Sequence, residues 1–177
     1  MLVPYVQSNG AWSLSDDQMI DIWNKMVEHK LDKIVFCSAE MRDGDMFLQF
    51  MKTPRNVVHV IKNERVDLIA WLNDFGSNFA FGHFCCFPHT FKTTSVDLGR
   101  VSFEYWFDFS YDGKNVLDVI LGRVPAFNER AIKYVKKLGM TEAGRIPNIR
   151  YGDNVHDTSF LYITREEFKN GWNGRKE

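Results

Sequence analysis

Three cysteines, no internal repeat, no run of one charge and no long apolar stretch set the first limits on this 177-residue chain. Cys37, Cys85 and Cys86 are too few and too poorly spaced for a disulfide framework, and their odd number suits a reducing compartment. There is no Cys-x-x-Cys. Neighbouring strand residues point to opposite faces, so Cys85 and Cys86 cannot share a metal. His83 and His89 lie across Pro88 from each other without a third ligand in view, so no metal site is expected. No apolar run reaches the roughly 18 residues of a membrane helix. The start, Met1-Leu-Val-Pro-Tyr5, lacks the charged lead and apolar core of a secretory signal, so the expected setting is cytoplasmic and off the membrane. A net charge of −1 without a basic run gives no footprint for nucleic acid. The charge balance favours a neutral or small partner.

The chain is rich in apolar and aromatic residues, at 45% and 15%, with fifteen phenylalanines, many of them between Phe75 and Phe109. A chain this long and this apolar can bury a full core as one domain, residues 1–177, without a metal or disulfide staple. The aromatics are expected to fill that core between a sheet and its helices. Ser15 followed by Asp16, Asp17 and Gln18 is a helix start, with an apolar stripe at Ile20, Trp23, Met26 and Val27 running to about His29. A short helix is expected over Asp45–Met51, stopped at Thr53-Pro54, with Gly10 and Gly44 as turn residues. Lys33–Cys37 reads equally as a brief strand or a buried loop.

From Asn56 the period changes to that of strands. Val57–Lys62, Val66–Leu72 and Phe79–Phe87 form an antiparallel meander with turns at Asn63-Glu64 and Asp74–Asn78. Asp97–Phe109 reads as a helix. Val116-Leu-Asp-Val-Ile-Leu-Gly-Arg-Val-Pro125 is a strand, after which Phe127, Ala131, Tyr134, Val135 and Leu138 share one helical face. Gly139 can end that helix in a left-handed conformation, with Met140 folding back over the cap. Thr141–Ile149 and Val155–Ile163 are a hairpin turning at Gly152-Asp153, and Thr164 with Glu167 makes a capping box for a last helix. The expected fold is α+β, a mixed and mostly antiparallel central sheet flanked by helices.

The order Asn128, Ala131, Leu138-Gly139-Met140, Gly144, Tyr151-Gly152-Asp153 and His156-Asp157 resembles the C-terminal half of the GNAT (Gcn5-related) acyltransferases, with their N-x-x-A…LGF…G…D-G…HD layout. The order and spacing carry the likeness rather than any single word. The resemblance implies a GNAT-like sheet with one splayed strand pair, acetyl-CoA as co-substrate, and transfer of an acetyl group to a small-molecule or protein amine by direct attack. It also implies a division of the domain into residues 1–53, a helical part shaping the acceptor cleft, and residues 54–177, the sheet and cofactor part. A second reading from the same resemblance is an inactive GNAT-like protein serving as a binding component, or in phage virion assembly.

The resemblance also places site residues. The pantetheine arm would run along Phe84-Cys85-Cys86-Phe87, the diphosphate would sit on amides at Lys92-Thr93-Thr94-Ser95, and Asn128 and Ala131 would flank the thiol end. The family's phosphate loop carries glycines, and this chain has none between Gly82 and Gly99. Threonine and serine amides with the charge of Lys92 would have to replace them. The family's proton-donating tyrosine falls here on Val135. Tyr134, one residue earlier and about 100° around the helix, is the nearest phenol. For proton removal, His83 on the central strand is the best-placed imidazole, followed by His59 and Glu104.

Overall fold

The structure, a computed structural model, describes residues 1–37 and 40–173. Its sheet has seven strands: β1 (Leu2–Tyr5), β2 (Val57–Lys62), β3 (Val66–Asn73), β4 (Phe79–Cys86), β5 (Val119–Pro125), β6 (Thr141–Tyr151) and β7 (Asn154–Thr164). Their order is β1-β2-β3-β4-β5-β7-β6, and all neighbours are antiparallel except the β4–β5 pair. The helices are α1 (Asp16–Glu28), α2 (Asp32–Val35), α3 (Gly44–Met51), α4 (Ser95–Asp108), α5 (Glu129–Lys137) and α6 (Arg165–Asn173). This is the α+β architecture the sequence predicts.

Side-chain alternation divides the core into two layers. On one face Ala70, Leu72, Ala80 and Ile120 pack against Phe103, Trp106 and Phe107 of α4 and Ile132 and Val135 of α5. On the other, Val58, Val60, Ile69, Trp71 and Cys85 pack against Met19, Trp23 and Met26 of α1 and Phe47 and Met51 of α3. The phenylalanines and tryptophans supply most of this bulk, so the aromatic richness is largely core. Cys85 belongs to the α1–α3 layer and Cys86 packs against the α4–α5 layer, as strand alternation requires.

Several caps form where the residues call for them. Ser15 and Gln18 make a reciprocal capping box on α1. Gly139 sits at φ 103°, and the Met140 amide donates to the Val135 carbonyl at 3.1 Å, which satisfies an orphan carbonyl at the end of α5. Thr164 and Glu167 cap α6 from both sides.

Other elements differ from the sequence reading. Residues 33–37 form neither strand nor plain loop, because Asp32–Val35 makes one helical turn. Gly44 is the first residue of α3 rather than a turn. Asp43 caps the helix, and a Cβ at Gly44 would stand 3.2 Å from Ile20 Cγ2 and 3.3 Å from Trp23 Cδ1, so close packing of α1 on α3 explains the glycine. Helix α4 begins at Ser95, two residues before the expected start. The N-terminal part is not purely helical, since β1 joins the sheet edge with Pro4 opposite His59. A proline has no ladder donor and is tolerated on an edge strand, and it interrupts the strand pattern of Leu2–Tyr5.

Two imidazoles are held neutral by burial. His59, fully buried, has its Nε2 2.8 Å from Ser102 Oγ. That hydroxyl donates to the Leu98 carbonyl, so His59 Nε2 carries the hydrogen and the partnerless Nδ1 is bare. Desolvation lowers the His59 pKa from 6.5 to about 3, and that of His83 to about 4. The unfolded chain therefore binds more protons than the folded one between pH 6.5 and those values. Stability contributed by the neutral rings is full above pH 6.5 and falls with pH, by about 1.4 kcal/mol per pH unit for each group. Melting temperature should drop between pH 7 and 5, and His59→Gln should remove about half of that slope, read by calorimetry across pH.

Candidate active site

Strands β4 and β5 hold a parallel register over only three residue pairs, Phe79 with Val119, Ala80 with Ile120, and Phe81 with Leu121. Beyond these pairs the chains separate. Each strand is tied to its outer neighbour along the divergent stretch: β4 pairs with β3 from Phe81 to Cys86, and β5 pairs with β7 from Val119 to Pro125. The outer ladders hold the two strands apart. The facing inner edges of Gly82–Cys86 and Gly122–Pro125 are left without ladder partners, which is where a ligand can find backbone donors and acceptors.

A glycine stands at the fork in each strand. A Cβ on Gly82 would lie 3.0 Å from Ile120 Cγ2 and 3.3 Å from Trp106, and one on Gly122 would lie 3.2 Å from Met140 Cε. The α4–α5 layer packs so closely beneath the fork that neither position accepts a side chain without displacement.

The gap is a cavity of about 1070 Å³ with walls from both sides of the sheet. Leu31, Ile34, Val35 and Cys37 line it from the α1–α3 side, and Ser95, Val96, Ala131 and Tyr134 from the α4–α5 side. It is a passage through the splayed sheet rather than a pit on one face. Of the residues expected from sequence, His83, Phe84, Cys85, Cys86, Lys92, Thr93, Ser95, Asn128, Ala131 and Tyr134 line it. Four others are not in its wall, the first being His59, which is buried in the core against Ser102 of α4. Phe87 is buried, and its amide donates to the Asp67 carbonyl at 3.0 Å. Thr94 is the N-cap of α4. Glu104 lies on the exposed side of α4, so the structure does not bring it to the notch.

The segment between β4 and α4 replaces glycine in an informative way. Pro88–Thr90 makes a 3-10 turn, and Lys92 then adopts φ 69°, the left-handed backbone that glycine takes without cost. The loop is clasped from below: His89 Nε2 lies 2.8 Å from Asp67 Oδ1, and Asn63 Nδ2 donates to Asp67 Oδ2 at 2.7 Å. These contacts offset the roughly 1–2 kcal/mol of a left-handed non-glycine residue. Thr94 gives α4 no side-chain cap, so the first-turn amides at Ser95, Val96 and Asp97 are available to an outside acceptor. Lys92, Arg130, Lys133 and Lys137 line this side against one acid, Glu129, and Arg130 stands 3.6 Å over the Phe91 ring. The arrangement suits an anion.

Tyr134 ties the two helices of this wall together. Its hydroxyl donates to the Ser95 carbonyl at 2.9 Å and accepts from Cys86 Sγ at 3.4 Å, while its ring packs edge-on to Phe84. Burial and the neighbouring thiol push its pKa up, so it is a neutral phenol. Burial likewise pushes the Cys86 thiol up to about 11, which keeps it protonated and a poor nucleophile. Asn128 Oδ1 accepts from the Ala131 amide at 3.1 Å, so this side chain caps α5 at the cavity rim.

His83 is on the opposite wall, stacked on Trp71 with ring centroids 5.0 Å apart and Nε2 2.8 Å from Asn73 Oδ1. Burial, with the positive charge of Arg123, lowers its pKa to about 4, so it is uncharged at neutral pH. Sequence reasoning missed Arg123, Arg130 and the Leu31–Val35 wall. Arg123 had a signal, a cation interrupting an apolar strand. The others depend on tertiary placement alone.

No family model matches the sequence, and no curated protein was found as a relative. Solved structures do match. The spermidine N-acetyltransferase of Vibrio cholerae, in complex with CoA and spermine, superposes with a TM-score of 0.72 at 13% identity, covering 96% of this chain and 98% of that one. A single-substitution form of the same enzyme, SpeG, gives 0.73 at 15% identity, covering 97% and 99%. A form carrying glutamate-to-glutamine changes gives 0.67 at 15% identity, covering 100% and 99%. Strand order, splayed parallel pair and whole-length superposition agree: this chain has the GNAT fold.

Proposed function

We propose that the chain is an N-acetyltransferase that takes an acetyl group from acetyl-CoA to an amine by direct attack. The observation that carries the proposal is the fork itself, a through-passage beginning after Phe81 and Leu121, with an uncapped helix start and four basic side chains on one side. A fold kept only as an assembly scaffold has no need of such an opening.

The residues present fit the co-substrate. The α4 first-turn amides with Lys92 and Arg130 are the candidates for its diphosphate, the inner edge of Phe84–Cys86 for the amides of its arm, and the rim at Asn128 and Ala131 for its thiol end. Acetyl-CoA, when bound, supplies an acyl thioester whose C–S bond is exchanged for a C–N bond to the amine, with one amine proton ending on sulfur. The chain's own contribution is largely to hold the amine on line in a confined passage. Neutral His83, its Nε2 occupied by Asn73, offers a second ring nitrogen as proton acceptor near that path. Its low basicity makes it a relay partner to water rather than a strong base. The phenol proton of Tyr134 is committed to the Ser95 carbonyl, which makes Tyr134 a positioning residue joining α4 to α5.

A thermal-shift titration tests the proposal. Acetyl-CoA at 100-fold excess over its dissociation constant should stabilise the chain by about 2.7 kcal/mol, which is about 5–11 °C in melting temperature for a domain of this size. No shift at millimolar acetyl-CoA would return the fold to the scaffold reading.

A further inference from the structure

Which amine enters from the α1–α3 side is encoded in that half of the wall, and the inference rests on the acyl-transfer reading above. Along β5, Ile120 and Val124 belong to the α4–α5 layer, so Arg123 projects to the other face. There its guanidinium lies 6.0 Å over the Phe81 ring centroid, its register partner on β7 is Phe160, and its charge is felt at His83. Arg123 makes no ion pair among the described residues, although it lines the cavity.

The rest of this half-wall is apolar or already engaged. Leu31, Ile34 and Val35 form one side, and Tyr151 has its hydroxyl 2.6 Å from Thr158 Oγ1. The one carboxylate in the lining among the described residues is Glu129, which sits on α5 and is paired with Lys133 at 3.3 Å. Asp74 is close enough to act on His83 but is not in the wall. A polyamine, with several ammonium groups, would thus meet a cation on this half of the wall, while the one lining carboxylate among the described residues, Glu129, is on α5 and already paired. Like charge there is repulsive, an effect that solvent at the exposed Arg123 weakens but does not reverse.

An unpaired guanidinium between aromatic neighbours calls for the opposite sign. Its planar fork matches a carboxylate through two parallel hydrogen bonds, and although the residue is exposed to solvent it stands in the cavity wall beside the Phe81 ring. We propose that the acceptor is a primary amine carrying a carboxylate on an apolar body, in the manner of an aromatic α-amino acid. The carboxylate pairs with Arg123, the body lies along Leu31, Ile34 and Val35, and the amine faces the fork. This acceptor differs in charge from the spermine bound by the Vibrio cholerae enzyme of the same fold.

The test uses the full chain with acetyl-CoA and three acceptors: L-phenylalanine, phenethylamine, which is the same skeleton without the carboxylate, and spermidine. Free-thiol release gives kcat/KM, and thermal shift by acetyl-CoA is read in parallel. Phenylalanine should exceed phenethylamine by about 5- to 10-fold, the worth of one bidentate pair at an exposed guanidinium, with spermidine poorest. Arg123→Gln should abolish the phenylalanine advantage while keeping the acetyl-CoA shift, which shows that fold and cofactor side are intact. The acceptor inference is overturned by spermidine as the best substrate, by equal use of phenylalanine and phenethylamine, by an unchanged ratio in Arg123→Gln, or by an acetyl-CoA shift without phenylalanine turnover. In those cases the transferase reading stands on its own. Absence of both shift and turnover overturns the transferase reading, and the acceptor inference falls with it.

Discussion

Replacing Trp71 with alanine should lower the unfolding free energy by about 3–5 kcal/mol, the usual range for deleting a buried indole. Trp71 is 1% exposed and stacks on Phe36 at 5.6 Å and on His83 at 5.0 Å, with Phe50 edge-on at 6.2 Å. It therefore supports three elements at once: the α2 segment leading to Cys37, the end of α3, and the central strand beside the fork. Little can collapse into the space, because Phe36 is itself locked against Phe47 and Trp23. Melting temperature should fall by roughly 6–20 °C at the 2–4 °C per kcal/mol expected for this size. The indole nitrogen is buried without a partner among the described residues. Trp71→Phe removes that unpaired donor while keeping a ring, so it should cost less than half as much. Chemical denaturation of the two variants beside the wild type checks the order, and equal losses would mean that the ring volume is not what holds the layer.

How much of this was readable in advance depended on whether the signal was local. The caps at Ser15, Gly139 and Thr164 were legible because each is settled by residues three to five positions apart. The fork was legible only through resemblance, since nothing within Phe79–Phe87 or Val116–Pro125 states that the two strands part after three pairs. The missing glycines showed that the loop before α4 differs from the family's, yet the strained backbone fell on Lys92, a residue with no preference for it, because the Asp67–His89 contact constrains the loop from another strand. Glu104 was a reasonable candidate by type. The rotation of α4 that buries Phe103 and Phe107 turns Glu104 outward, and helical phase is set by packing that a carboxylate does not report. Arg123 was visible as a charge in an apolar strand. Its meaning required the register with β7 and the opening beside it, both of which are long-range facts.

The electrostatics of the α4–α5 side lead to the largest expected change in ligand affinity. Lys92 and Arg130 approach the start of α4 from the loop before it and from α5, and the charge of Arg130 is felt at the Cys86 thiol inside the fork. If the first-turn amides of α4 bind a diphosphate, these two exposed cations at the cavity rim neutralise it, each by a charge-assisted hydrogen bond worth about 1.5 kcal/mol. Lys92→Glu combined with Arg130→Glu should weaken acetyl-CoA binding by about 100-fold or more, since attraction is replaced by repulsion at both positions. The wild-type affinity should also decline with added salt more steeply than that of the double variant. Loss of fold is separated from loss of charge by Lys92→Gly, which relaxes the left-handed backbone while removing the ammonium. Its melting temperature should equal or exceed that of the wild type while acetyl-CoA binds about 10-fold more weakly. Calorimetric titration of the three proteins decides the matter: an affinity that survives the double reversal would place the diphosphate elsewhere on the molecule.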